Sequence, residues 1–263
     1  MTIGILAAMH DEVADLIGAM IKQSGNQVHR IGMRDYHVGK LDGQSCVVVL
    51  ARIGKVAAAA TAVTLIREFD VTEVIFTGLA GGIGRDVAIG NIVIADRSVQ
   101  HDMDVRPLFP HHEIPLLGRS EFATDIALSA ELKVATELFL KEDFQQSVAP
   151  EVREAFGIKQ PVLHIGLIAS GDQFVADVER ANGILADFPQ ALAVEMEGAA
   201  VAQICFEYDV PCAILRTISD RADASAHGDF GAFLAGVASH YSAGVLRRFF
   251  SGRRDEEQIN RRG

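Results

Sequence analysis

ALAVEMEGAAVAQICFEYDVPCAILRTISD, residues 191–220, is the stretch on which the fold turns. It opens with the apolar run 191–194, short enough for a buried strand. Glu195, Met196 and Glu197 stand where that run gives way to a helical segment. A turn follows, then a second apolar run over 211–219 that stops at Asp220. In an α/β sheet both places are carboxyl ends of strands, the edge along which ligands bind. An acid at each of two such ends makes this edge the first place to look for chemistry.

Working outward, the same alternation recurs. Residues 161–169 read as a buried strand ending in Ser-Gly-Asp-Gln-Phe-Val, 170–175. Residues 73–77 read as a strand running into the glycine-rich 78–84, and 91–95 as a further strand. At the start, 2–9 is a strand pattern, followed by a helical pattern in Val13, Leu16, Ile17 and Met20. Glu12 sits at that junction: first-turn acids suit a helix dipole, yet the position is also a strand end and hence a site candidate. Strands are expected at 30–39 and 45–50 around an Asp42-Gly43 turn, and helices at 56–69, 128–142 and 229–250. Residues 145–160 look irregular and insertion-like. These patterns predict a three-layer α/β/α fold with a mixed, partly closed central sheet.

With 263 residues, 49% of them apolar and no linker or internal repeat, the expectation is one domain over 1–250 and a polar, disordered Arg-rich tail over 251–263. A formal charge of −11 argues against a nucleic-acid partner. The apolar N-terminus lacks a basic leader and soon meets His10-Asp11-Glu12. No run approaches the ~18 apolar residues of a membrane span, so no membrane partner is expected. Three cysteines, Cys46, Cys205 and Cys212, fall in strand or helix patterns without metal spacing, as reduced buried thiols of a cytoplasmic protein would.

Several familiar signatures fail. Gly54-Lys55 lacks the upstream glycine and the following Ser or Thr of a phosphate loop. Gly82-x-Gly84-x-x-Val87 misses the third glycine of a dinucleotide fingerprint and leads into a strand. Ser170 is not in a nucleophile elbow. The loop 100–118 carries His101, Asp102, Asp104, His111, His112 and Glu113, but no spacing that frames a metal, and no metal is expected. A loop of that length is read as a lid or a subunit contact.

Four motifs together carry a resemblance: Ala8-Met9-x-x-Glu12, Ile53-Gly54-Lys55-Val56-Ala57-Ala58, Thr77-Gly78-x-Ala80-Gly81-Gly82, and Val194-Glu195-Met196-Glu197 with Arg216-x-Ile218-Ser219-Asp220. Over roughly 1–250 the chain resembles the 5′-methylthioadenosine/S-adenosylhomocysteine nucleosidases of the nucleoside phosphorylase/hydrolase superfamily. The resemblance implies cleavage of the N-glycosidic bond to adenine by water, with no cofactor. Asp220 would protonate adenine N7, Glu12 would activate water, and Arg216 would help to place that water. Glu197, expected to stay ionised, would hold the ribose hydroxyls. Met196 would lie against the ribose, Phe174 would stack on adenine, and Val175 would read the base edge. Met9, Ile53 and Val105 would line the sugar and 5′ side, with Ala80 also at the substrate.

A homodimer is implied, in which the partner's 100–118 loop completes the 5′ pocket. Two departures stand out. Leu79 occupies a position where the family carries a small hydroxyl residue that helps to orient the acid, and the 100–118 loop has prolines and histidines in place of an aromatic-rich pattern. A phosphate-dependent phosphorylase, a futalosine-type hydrolase and a non-catalytic nucleoside sensor are the competing readings of the same residues.

Overall fold

The computed structural model describes residues 1–22 and 25–260, with side chains through 255. Ten strands form one mixed sheet: β1 (Ile3–Ala7), β2 (Gln27–Ile31), β3 (Arg34–Leu41), β4 (Gln44–Leu50), β5 (Glu73–Gly82), β6 (Ile92–Gln100), β7 (Glu121–Ala123), β8 (Leu163–Ser170), β9 (Ala191–Glu195) and β10 (Cys212–Asp220). Their order is β10-β6-β8-β9-β5-β1-β4-β3-β2, with β7 beside β6. Because β10 also pairs in parallel with β5, the first five strands of that order close into a ring. The four others extend from β5 as an open sheet. The expected mixed, partly closed sheet is thus present.

Helices cover the faces: α1 (His10–Ile21), α2 (Lys55–Glu68), α3 (Ile126–Leu138), α4 (Phe144–Ser147), α5 (Pro150–Ala155), α6 (Val178–Asp187), α7 (Gly198–Glu207), α8 (Ala226–Phe233) and α9 (Ser239–Asn260). Alternation along the strands divides the core. Ile3, Ile5 and Val48 join Val13, Leu16, Leu132 and Phe249 under α1, α3 and α9. Leu6, Val47 and Val49 join Ala58, Leu65, Val201 and Cys205 under α2 and α7. The alanines of α2, a strong helix-forming run, keep that face thin.

Four expectations are corrected. The strand foreseen at 30–39 is two strands, folded at Gly32 and Met33, which both hold positive φ (55° and 61°). The glycine-rich 78–82 is not a loop but the second half of β5, paired with β9 through Gly81 and Gly82. Residues 145–160 hold α5, and Phe144 just before them packs edge-on against Tyr241 at 5.8 Å. The chain is not disordered from 251. Helix α9 runs to Asn260, and Arg253 bonds to Glu131 (2.5 Å) and Glu73 (2.6 Å), which ties the start of the expected tail to the body. Residues 261–263 of that expected tail lie outside the described residues.

Candidate active site

Glu12, Glu197 and Asp220, separate in sequence, line one cleft at the strand ends. Each arrives differently. Glu12 is the third residue of α1, and its Oε2 accepts the Met9 N–H at 2.8 Å, the reciprocal half of a capping box. Its Oε1 accepts the Leu79 N–H at 2.9 Å. Helix start and site position are therefore one arrangement, not alternatives. Gly78 makes it possible: at φ 154°, a Cβ there would meet Glu12 Oε1 at 2.7 Å. Burial raises the Glu12 pKa; the Met9 and Leu79 amides and the charge of Arg216 work against that rise.

Asp220 is the last residue of β10, just past a register shift after Ile218 that re-aims the strand end. Ser219 Oγ donates to Oδ2 at 2.8 Å and the Ala222 N–H to Oδ1 at 2.8 Å. These two donors fix the acid although Leu79 lacks a hydroxyl. A Cβ on Gly81 would sit 2.9 Å from Asp220 Oδ1. Gly78 and Gly81 of β5 thus leave room for two carboxylates. Burial raises the Asp220 pKa, as a proton donor needs.

Glu197 precedes α7, and its Oε1 accepts the Gly54 N–H at 2.8 Å. Its pKa is pushed up to about 8, by burial first and then by Glu195, a direction that opposes the ionised side chain expected from its place at a helix start. A helix N-terminus does not offset the loss of water plus a second carboxylate two residues away.

Met9, Ile53, Ala80, Phe174, Val175 and Met196 line the cleft as expected. Phe174, 38% exposed, meets His227 edge-on at 4.8 Å and Phe230 at 5.6 Å. Two expected residues stand elsewhere. Arg216, 1% exposed, spends Nε and Nη2 on Glu195 Oε2 (3.2 and 2.7 Å) and Nη1 on the Phe76 and Leu215 carbonyls. It is not part of the lining, and the field it exerts on Glu12 is what reaches the cleft. The reason is Glu195, whose carboxylate accepts the Glu197 and Gly198 amides and the Ser170 hydroxyl. Val105, in the 100–118 loop, does not line this chain's cleft either.

Phe230 and Gln173 line the cleft without having been foreseen. No strand end precedes Phe230, so nothing local marked it. The metal question has one new participant: His111, His112 and Asp187 bring potential ligand atoms within 4.8 Å of one another. They stand outside the cleft lining, with His112 Nε2 3.2 Å from Asp187 Oδ2 and the two imidazoles stacked at 3.5 Å.

A family model described as the phosphorylase superfamily matches residues 2–251. The 5′-methylthioadenosine/S-adenosylhomocysteine nucleosidase of Mycobacterium tuberculosis is 36% identical over 257 residues, covering 94% of this chain and 96% of the relative. An aminodeoxyfutalosine nucleosidase of Helicobacter pylori is 37% identical over 235 residues, covering 88% and 90%. The crystal structure of the Neisseria meningitidis 5′-methylthioadenosine/S-adenosylhomocysteine nucleosidase with methylthio-immucillin-A superposes with a TM-score of 0.81 at 32% identity, over 94% of this chain and 97% of the other.

Proposed function

The chain belongs to the phosphorylase superfamily and, within it, to the 5′-methylthioadenosine/S-adenosylhomocysteine nucleosidases, an N-glycosyl hydrolase among them; from that premise we propose how its cleft does the work. The substrates are 5′-methylthioadenosine and S-adenosylhomocysteine, and the products adenine and the 5′-substituted ribose. As the bond from C1′ to N9 breaks, its electron pair passes to the purine and positive charge grows on the sugar. Asp220 gives its proton to N7, and Glu12 takes one from the water that adds to C1′. Glu197 binds the ribose hydroxyls through its carboxyl oxygens. Phe174 and Phe230 make an aromatic wall for adenine, and Met196, Met9 and Ile53 close the sugar side.

One observation carries this reading: three buried carboxylates, each fixed by a main-chain amide, line a single cleft. A purine binder with no chemistry to perform has no need of two buried acids of raised pKa. Timed adenine release from both nucleosides in phosphate-free buffer tests it. Release that requires phosphate would overturn hydrolysis; binding without release would leave a sensor.

The similarity to the aminodeoxyfutalosine nucleosidase supports a second substrate for the same chemistry, and that nucleoside belongs in the panel. The partner's 100–118 loop would complete the 5′ side in a homodimer. Val105 is not in its own chain's cleft, and Leu108 and Leu116 are exposed on that loop. Size measurement by light scattering checks this. The protein acts in the cytoplasm, where three free, buried cysteines stay reduced.

A further inference from the structure

Beside the cleft, and sharing Ile53 with it, lies a shallow groove lined by Arg34, Arg52, Ala57 and Asp172. The direction is fixed by Gly54, whose N–H reaches Glu197 at 2.8 Å. Residues 52–54 therefore stand next to Glu197, the group that the proposed function puts on the ribose hydroxyls. A substituent on the 5′ carbon longer than a methylthio group has this groove ahead of it.

The groove is charged in an uncommon way for a chain of formal charge −11. Arg52 is exposed and forms no ion pair among the described residues; Nη2 donates to the Met33 carbonyl at 2.7 Å. Arg34 also lacks a carboxylate partner there and donates to the Ala51, Gly32 and Ala57 carbonyls. Asp172 accepts the Lys55 N–H on Oδ1 at 2.8 Å, and its Oδ2 has no hydrogen-bond partner among the described residues. Arg52 also holds φ 73°, a conformation in which glycine is at ease and a long side chain is not. Strain kept at the lip of a site points to use of the side chain that bears it.

We propose that this groove is a subsite for the zwitterionic α-amino-acid end of a 5′-substituent. The Arg52 guanidinium takes the carboxylate, Asp172 Oδ2 takes the ammonium, and Arg34 adds to the positive field. A guanidinium presents paired N–H donors that match a carboxylate, and charge-assisted bonds of this type outweigh neutral ones. S-adenosylhomocysteine carries such an end and 5′-methylthioadenosine does not. The subsite therefore sets the preference between them, and it rests on the nucleosidase reading given above.

The test compares kcat/KM for the two nucleosides in the wild type and in Arg52→Gly, a substitution that the positive φ favours. The ratio of S-adenosylhomocysteine to methylthioadenosine should fall about fivefold or more, the scale of one charge-assisted contact at a wet site. A second comparison needs no variant: the carboxyl methyl ester of S-adenosylhomocysteine should lose a similar factor against the parent in the wild type, and raised salt should shrink the gap. An unchanged ratio, or an ester hydrolysed as well as the parent, overturns the subsite. A wild type that releases adenine from neither nucleoside instead overturns the nucleosidase reading, so the two failures are told apart.

Discussion

At the scale of single residues, the chemistry rests on carboxylates that have lost water and gained amides. Glu12 and Asp220 both have raised pKa values, with burial the chief cause. A shift in that direction brings a carboxyl closer to the working range of a general acid or base. Glu12→Gln keeps an oxygen for the Met9 or Leu79 amide and removes the base. Adenine release should drop by about 10²–10⁴-fold, the usual range for one such group, with the far-UV circular dichroism unchanged. Undiminished release would remove Glu12 from the reaction. Gly81→Ala acts on the other acid by crowding, since its Cβ would sit 2.9 Å from Asp220 Oδ1. We expect kcat to fall more steeply than stability, the latter by roughly 1–3 kcal/mol, a common size for a packing conflict in a core. Paired activity and urea-denaturation measurements check the comparison.

At the scale of elements, the junction of β9 with α7 explains both what the sequence disclosed and what it hid. Two strand ends bearing acids were legible because an apolar run that stops at Glu195 or Asp220 is a local pattern. Glu12 and its helix start were legible for the same reason. The pairing of Arg216 with Glu195 was not legible because it is tertiary. From sequence it stands four residues before Asp220; in the fold it is fully buried, with Phe76 beneath its guanidinium at 4.0 Å and Glu195 beside it. The glycines of β5 were visible, but not the carboxylates that fill the space beside them. Phe230 and Asp187 came from helices with no motif at all. Arg216→Ala would leave Glu195 buried with its charge unpaired, and such losses cost about 3–5 kcal/mol. The same change should loosen the amides that Glu195 holds at Glu197 and Gly198. We therefore expect KM to rise along with the loss of stability. Glu195→Gln in the Arg216→Met background should recover part of the stability, because no isolated charge remains.

At the scale of the whole molecule, one partly closed sheet collects three buried acids at its strand ends, and the free protein bears the cost of that arrangement as a function of pH. The sign follows from the direction of the shifts. Glu12, Glu197 and Asp220 all bind a proton more tightly folded than their ordinary values, with Glu197 at about 8. A folded state that holds protons the unfolded chain has released is favoured at low pH. Their contribution is complete below about pH 4, near the ordinary carboxylate values, and is lost as pH rises through the folded values. This part of the stability should therefore fall between pH 5 and pH 9, most steeply toward 8, where Glu197 must ionise beside Glu195. The half-buried imidazoles of His37, His101 and His164, held below their ordinary values by loss of water, contribute in the opposite sense as pH rises through about 6.5. Glu197→Gln should flatten that slope and gain most over the wild type at the alkaline end. The difference in melting temperature between the two ligand-free proteins isolates this one carboxyl from the histidines, and an advantage of Glu197→Gln that stays constant from pH 5 to pH 9 would mean that Glu197 is ionised in the fold throughout.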